Sequence, residues 1–256
     1  MRIFSIIFLL FLCFPAVTRS QSALGHSGVV EYEKKVNIHG ILKKTIGGSQ
    51  DVNQQVYDDY VNKNPQFAIL NSRLTFSTDE CLFEPLTSPN LNNSTLFGKI
   101  PLSEQINITY SDLKQGLTWT RKNAFNEQFL IENTRKIRWK VTNELRDVAG
   151  FKCRRANAII MDSIYVVAFY TDEIHVSGGP ETFGGLPGLI LEVALPNDNI
   201  HWVAKRVNFN SSSHPIVKTT QGKPITDTDF TKLVITRFQS DKNRKRARLN
   251  IINYLL

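Results

Sequence analysis

The stretch SGGPETFGGLPGLILEV, residues 177–193, decides the fold, because a segment rich in glycine and proline leads directly into an apolar run. Five glycines and two prolines fall within its first twelve positions. Pro187 followed by Gly188 suits the central positions of a type II turn, where proline fixes φ and glycine accepts a positive φ. We therefore predict a tight structural corner that ends in a strand, with Phe183 as its apolar anchor.

A phosphate-binding loop is the alternative role for so many glycines. A P-loop needs a lysine and a hydroxyl residue after its last glycine, and a dinucleotide-binding fold needs glycines that lead from a strand into a helix. Here no lysine follows directly, and the glycines lead into a strand pattern. The sequence therefore favours a structural role for the six motif residues Gly185, Leu186, Pro187, Gly188, Leu189 and Ile190.

Apolar patterns of period two make the rest of the chain mainly β. The run IYVVAFY, residues 164–170, is typical of a strand covered on both faces, and KIRWKV, residues 136–141, alternates like a half-solvated strand. LILEVAL and IHWVAKRV, joined by PNDN at 196–199, predict a hairpin. The predicted fold is mainly β (α+β), a single curved antiparallel sheet or open half-barrel with one or two short helices.

Helical patterns occur in two segments. Residues 51–64 place Val52, Val56 and Tyr60 on one side of a short helix. Residues 226–247 begin with acidic residues that could cap a helix and end in basic residues, which suits the helix dipole. The string LVITRF inside the second segment also fits a strand, so that segment stays open between the two structures.

The amino-terminal residues have the composition of a secretory signal. Arg2 precedes an almost wholly apolar run, residues 3–17, which is too short to span a bilayer comfortably, and small residues before Gln21 suit a cleavage site. The sequence predicts residues 1–20 as a signal peptide and residues 21–256 as one β-rich domain with no transmembrane segment. We expect a protein exported to the periplasm or the extracellular space.

The charge and the cysteines of the chain bear on its binding partners and on disulfide formation. The formal net charge is +8, or +6 for the predicted mature chain, which loses Arg2 and Arg19. The basic run at 241–250 is typical of a solvated helix end, so no nucleic-acid partner is expected. Two cysteines remain, Cys81 and Cys153, in a compartment where disulfides persist. The sequence leaves open whether they form a disulfide or are two buried thiols.

Signatures of catalysis are missing from the sequence. It contains no nucleophile elbow, zinc-protease helix, redox cysteine pair or calcium loop, so no cofactor is predicted. Asp172, Glu173 and His175 are a candidate metal group, but no second histidine at helical spacing supports it, and we predict no metal. Paired carboxylates that meet only in three dimensions stay open.

The intact string Gly185 to Ile190, within GPETFGGLPGLILEV, resembles the signature of the GLPGLI family of exported proteins from Gram-negative bacteria. The upstream segments WKVTNELRDVAGFKCRRANA and VVAFYTDEIHVSGGP are similar to further parts of that family, so the resemblance covers residues 137–195. It implies export and a β-rich fold. The family has no established activity, so the resemblance implies no catalytic residue.

One predicted strand carries an apolar face made of Leu189, Leu191, Val193 and Leu195. Soluble proteins rarely leave such a face bare, and the chain shows few helical residues to cover it. We expect the face to bind an apolar small molecule, a lipid or an envelope protein, with Trp139 or Trp202 at its open part. The predicted function is non-catalytic binding. A hydrolase with an unrecognised site and a structural subunit of a surface assembly are the alternatives, and no oligomeric state is indicated.

Overall fold

The computed structural model describes residues 27–46, 51–87, 107–134, 136–209, 215–242 and 244–256. Its strands are β1 (Gly28–Asn37), β2 (Phe67–Phe76), β3 (Glu80–Thr87), β4 (Ile108–Asp112), β5 (Leu117–Ala124), β6 (Glu127–Asn133), β7 (Lys140–Val148), β8 (Phe151–Ile160), β9 (Ile164–Thr171), β10 (Leu189–Leu195), β11 (Ile200–Asn208) and β12 (Lys223–Thr226). Its helices are α1 (Ile38–Ile46), α2 (Asp51–Lys63), α3 (Asp227–Phe238) and α4 (Arg244–Leu255). The predicted signal peptide, residues 1–20, lies outside the described residues.

The strands form one open sheet in the order β12-β6-β5-β4-β3-β2-β1-β11-β10-β9-β8-β7. Neighbouring strands are antiparallel, except that β12 runs parallel to β6 at one edge. The prediction of a mainly β fold with a single open sheet is therefore confirmed. Two details of it are wrong, because four helices rather than one or two are described and one edge pair is parallel.

The sheet is strongly curved. Tyr32 on β1 donates a hydrogen bond of 2.5 Å from its hydroxyl to the carbonyl oxygen of Ile190 on β10. Burial, together with the nearby thiols of Cys81 on β3 and Cys153 on β8, raises the pKa of the Tyr32 hydroxyl. Cys153 of β8 thus lies close to Tyr32 of β1. In a flat sheet these two strands would be four strand spacings of ~4.8 Å apart, which is about 19 Å. The sheet therefore curls around a shared core.

Local sequence patterns account for the central strands. On β1 the residues Val30, Tyr32, Lys34 and Val36 are buried while the residues between them are more exposed. Both faces of β9 are covered, as its apolar composition predicted. The hairpin of β10 and β11 is confirmed. A short 3-10 turn, Pro196–Asp198, connects its strands.

The start of β7 differs from the prediction. The strand begins at Lys140, so residues 136–139 of KIRWKV are not part of it. Trp139 instead donates from its indole nitrogen to the carbonyl oxygen of Gly184, at 2.9 Å. This contact holds Trp139 against the loop that precedes β10.

The helices exceed the prediction in number. The predicted helix at 51–64 is α2, and LVITRF lies inside α3. Thr226, rather than an aspartate, caps α3, because its hydroxyl accepts a hydrogen bond of 3.1 Å from the backbone of Asp229. In the part of the chain that the structure describes, no helix is both long and apolar enough to cross a membrane.

The apolar face of β10 is not open. Each of its four members is fully buried, and they belong to one large core cluster that α1 and α4 also join: Leu189, Leu191, Val193 and Leu195. The expectation that part of this face stays uncovered is therefore wrong. It failed because it counted too few helical residues, and because the segment before β10 folds back over the core.

Candidate functional site

Residues 177–188, here called the motif loop, form a corner held by its own backbone. The amide of Ile190 donates to the carbonyl oxygen of Gly178, and the amide of Gly185 donates to that of Ser177, each at 3.0 Å. The amide of Gly188 donates to the carbonyl oxygen of Leu186 at 2.8 Å. That bond spans two residues, so the turn at Pro187 is a γ-turn and not the predicted type II turn.

Gly188 is needed because two backbone segments approach closely. A Cβ atom at this position would lie 2.1 Å from the carbonyl oxygen of Thr171, at the end of β9. No side chain fits at that distance, whatever its φ preference. The structural role predicted for the glycine rests here on contact with β9, and the motif loop is tied to the sheet at that point.

The motif loop carries one acidic residue into the interior. Glu181 occupies a turn closed by a hydrogen bond of 3.0 Å from the Phe183 amide to the Pro180 carbonyl oxygen, and its φ is 51°. Left-handed φ is uncommon outside glycine, and such strain persists where the surroundings enforce it. Phe183, the predicted anchor, is buried and packs edge-on against Trp202 with ring centroids 5.8 Å apart.

Glu181 faces two buried lysines, and we call these three residues the buried charge cluster. Lys34 comes from β1, Lys122 from β5 and Glu181 from the motif loop. Their exposed fractions are 4%, 6% and 4% respectively. Lysine and glutamate are almost never this buried unless they are paired. The cluster is therefore the most unusual arrangement of charge in the described part of the chain.

Neutral groups supply the closest contacts in this cluster. The Lys122 ammonium donates to the carbonyl oxygen of Tyr254 in α4 at 2.9 Å. The side-chain amide of Asn107 donates to Glu181 Oε2 and to the backbone oxygen of Leu256, each at 3.4 Å. Lys34 Nζ lies 4.9 Å from the centroid of the Trp202 ring.

Burial shifts the pKa of each charged group toward its neutral form. Desolvation lowers the pKa of Lys34, against the opposing effect of Glu181. It lowers the pKa of Lys122 to about 8, with Glu181 again opposing and Lys34 adding to the decrease. Desolvation raises the pKa of Glu181 although both lysines and Asn107 act to lower it. One carboxylate thus does not offset the burial of two ammonium groups.

A second buried carboxylate lies on β10. Glu192 Oε1 accepts a hydrogen bond of 2.5 Å from Arg146 Nη1 and lies 2.9 Å from His201 Nε2. The Arg146 guanidinium also covers the ring of Phe169 at 4.2 Å. His201, which the sequence indicated as a strand residue beside Trp202, is therefore a hydrogen-bond partner of Glu192.

The two candidate tryptophans are not an open surface. Trp202 is 0% exposed, beneath Lys34 and Phe183. Trp139 is half-buried and bound to the motif loop. Only a ligand that enters the interior can touch Trp202. The sequence indicates this residue but not the charges around it.

The other sequence candidates do not come together as sites. Cys81 and Cys153 are free thiols buried in the core, so the disulfide that the sequence left open is not formed, and burial raises the pKa of each thiol to about 12. Asp172, Glu173 and His175 are exposed, and no metal-holding group of three or more His, Cys, Asp or Glu side chains exists among the described residues.

Comparison with solved structures finds distant similarity. Two structures of PNGF-II, in space groups P21 and C2, are 15% and 14% identical to this chain with TM-scores of 0.48 and 0.44. They cover 81% and 78% of it, whereas it spans only 33% and 30% of PNGF-II. An uncharacterized conserved protein from Thermus thermophilus is 8% identical, with a TM-score of 0.33 and coverage of 77% of this chain and 90% of its own.

Sequence comparison finds one family. No curated protein matches the chain. Residues 159–192 match a family described as "Protein of unknown function (Porph_ging)". That segment runs from the end of β8 through the motif loop into β10, so it contains both Glu181 and Glu192. The similarity is thus confined to the part of the chain that builds the corner.

Proposed function

We propose that this is an exported, non-catalytic binding protein whose curved sheet receives a small amphipathic anion at the buried charge cluster. The observation that carries the proposal is the burial of Lys34 and Lys122 against the single carboxylate of Glu181. A carboxylate attached to a short apolar group is the ligand class that fits. The sequence predicts an apolar ligand, and the apolar group satisfies that expectation. The buried lysines are the reason for proposing that the ligand also carries an acid group.

The charge balance supports an anion. With all three groups ionised the cluster carries one excess positive charge, and burying a charge without a partner is strongly unfavourable. Within the described residues Lys34 has no ion-pair partner, and its close contact is the face of the Trp202 ring. A bound carboxylate would supply the missing negative charge and would raise the pKa of both lysines toward the ordinary value.

The packing limits the size of the ligand. Trp202 and Phe183 fill the interior beside Lys34, and the apolar face of β10 is covered. A long acyl chain would have to displace these side chains, whereas a short one extends only past the aromatic pair. We therefore favour a short-chain acid over a membrane lipid.

Tryptophan fluorescence tests the proposal on the full chain, with octanoate, octanol and octylamine as probes of equal apolar length. We expect octanoate to change the emission, and octanol and octylamine to bind at least about tenfold more weakly, since hydrogen bonds to charged groups contribute that much. Lys34→Met should lose octanoate binding by a similar factor. This variant should fold, because it removes the excess positive charge and leaves one lysine and one glutamate in the cluster, so no charge loses its counterpart.

Lys35→Met is the matched control. Lys35 is the next residue on β1, points to the other side of the strand and pairs with Glu33 at 3.2 Å. It should bind octanoate like the unsubstituted protein. Equal binding of octanol and octanoate would contradict the anion proposal and favour a purely apolar ligand. Unchanged octanoate binding in Lys34→Met would move the site away from the cluster.

The export and family proposals rest on sequence alone. We infer that residues 1–20 are removed, that residues 21–256 are one domain, and that the protein belongs to the GLPGLI family through its string at 185–190. The Porph_ging match over residues 159–192 contains that string and supports a shared corner. Amino-terminal sequencing of protein recovered from the cell envelope should begin near Gln21. A chain that still begins at Met1 would contradict the export proposal.

A further inference from the structure

A separate cavity lies where the turn between β10 and β11 meets two helices, and none of its lining residues belongs to the buried charge cluster. Its volume is about 260 Å³. It is lined by two residues of α1, the turn residues 197–199 and three residues of α4: Ile41, Lys44, Asn197, Asp198, Asn199, Lys245, Arg248 and Leu249. Ligand pockets typically begin at about 300 Å³, so this cavity suits a small molecule.

Two buried polar atoms in the lining are unsatisfied. Asp198 is 3% exposed, and its Oδ1 accepts a hydrogen bond of 2.9 Å from Arg248 Nη1. Its Oδ2 is buried and has no hydrogen-bond partner among the described residues, and the same holds for Nδ2 of Asn199. Buried polar groups are nearly always paired, so each exception needs an explanation. A carboxylate oxygen can only accept, whereas an amide nitrogen can only donate.

The rest of the lining is positively charged and partly apolar. Lys44 and Arg248 contribute two cationic groups against the one carboxylate of Asp198, and Lys245 also lines the cavity. Lys44 donates to the carbonyl oxygen of Asn197, which fixes the turn against α1. Ile41 and Leu249 supply apolar wall. A ligand for this lining needs a hydrogen-bond donor for Asp198 and a negative group for the cations.

We propose that this cavity binds a free α-amino acid as a zwitterion, with its ammonium group on Asp198 and its carboxylate on Arg248. A simple amine would be repelled by Lys44 and Arg248, and a simple carboxylic acid would leave Asp198 Oδ2 without a donor. Arg248 uses one of its five N–H donors on Asp198, so the guanidinium can bind a ligand carboxylate as well. The side chain of the amino acid would lie against Ile41 and Leu249.

Calorimetric titration of the full chain tests this with three probes that differ by one group each: L-leucine, N-acetyl-L-leucine and L-leucine amide. We expect L-leucine to bind and each blocked analogue to bind at least about tenfold more weakly, because each loses one charge-assisted contact. Asp198→Asn should remove the preference for L-leucine over the N-acetyl form. Arg248→Gln should reduce the preference for L-leucine over the amide.

Arg246→Gln is the matched control on the same helix. Arg246 pairs with Asp241 at 2.8 Å and does not line the cavity, so this variant should bind L-leucine normally. Arg248 is exposed and a glutamine there can still donate to Asp198, so Arg248→Gln keeps the test valid even if Asp198→Asn fails to fold. Absence of L-leucine binding at millimolar concentration, or equal binding of all three probes, would overturn the proposal. An equal loss in Arg246→Gln and Arg248→Gln would also overturn it.

Discussion

Glu181 and Glu192 are two carboxylates of one short segment, each 4% exposed, and their surroundings differ. Glu192 has two partners in direct contact, the Arg146 guanidinium at 2.5 Å and the His201 imidazole at 2.9 Å. In the described residues Glu181 has only the 3.4 Å contact with Asn107, although Lys34 and Lys122 influence it electrostatically. Only Glu181 also has a left-handed backbone.

The two sites differ in the exposure of the side chains around the carboxylate. The side chains of Arg146 and His201 are 49% and 38% exposed, so water solvates both partners of Glu192. At Glu181 the cations themselves are buried. The first arrangement is complete as it stands and is typical of a structural ion pair. The second has excess positive charge in the interior, which the proposed anion would balance.

The corner that holds Glu181 should be the most sensitive point. Gly188→Ala places a Cβ atom 2.1 Å from the carbonyl oxygen of Thr171, so β9 and the motif loop must separate. We expect a loss of about 3 kcal/mol in the free energy of unfolding, measured by urea denaturation, which is the upper end of the usual cost of overpacking. Gly188→Asn should be no milder, because tolerance of positive φ does not remove the collision.

Gly185→Ala is the control for that prediction. Gly185 has a φ of 86°, and a Cβ atom there would have no neighbour within 4 Å. Only the conformational cost of about 1 to 2 kcal/mol should remain. If Gly188→Ala were as mild as Gly185→Ala, close approach would not be the reason for the glycine.

The two glutamates should differ when each loses its charge. Glu181→Gln leaves two buried ammonium groups without an anion, and we expect a loss of roughly 3 kcal/mol. Glu192→Gln leaves Arg146 and His201 able to turn toward water, so roughly 1 kcal/mol is expected. Urea denaturation at neutral pH measures both. Octanoate should partly restore the stability of Glu181→Gln and not that of Glu192→Gln. Equal losses in both variants would show that the buried lysines do not make Glu181 more important for stability than Glu192.

Much of the fold was readable because it depends on local chemistry. The β10–β11 hairpin follows from turn residues between two apolar runs, and α2 follows from its spacing of apolar residues. Helix α1 was missed because it continues directly from β1 and contains Gly40, which lowers helix propensity. The sequence does contain a capping residue for this helix, because asparagine is a preferred N-cap residue. In the structure the Gly40 amide donates to Asn37 Oδ1 at 2.9 Å.

The candidate site was less accessible, because its members come from distant segments. Lys34 has the same strand phase as Tyr32 and Val36, and Lys122 has that of Thr120 and Ala124, so both patterns place a charge on a buried face. The direction of Glu181 could not be predicted, because it depends on curvature that joins β1 to β5 across three intervening strands.

The pH dependence of stability should report the buried lysines. The pKa of Lys122 is about 8 in the folded protein and 10.5 when unperturbed. Below pH 8 the group is charged in both states and its burial penalty is fully present. Between about pH 8 and 10.5 the unfolded chain binds more protons than the folded one, so the free energy of unfolding rises with pH.

Lys122→Met should lack this increase. Relative to that variant, the unsubstituted protein should gain about 2 kcal/mol between about pH 7.5 and about pH 9.5, from a pKa shift worth ~1.4 kcal/mol per unit. Denaturation in urea at the two pH values measures the difference. Lys35→Met should behave like the unsubstituted protein. Parallel pH profiles for Lys122→Met and the unsubstituted protein would show that Lys122 keeps an ordinary pKa.

The smallest effects should come from the partners of Glu192. Arg146→Gln and His201→Gln each remove a half-exposed side chain, so each should lower the free energy of unfolding by less than about 1 kcal/mol. The double variant should lose more than the sum of the two, because Glu192 then has neither cation and keeps its buried charge. A double-mutant cycle in urea measures this excess. Strict additivity would mean that Glu192 reaches water without them, and the contrast with Glu181 would then rest on the buried lysines alone.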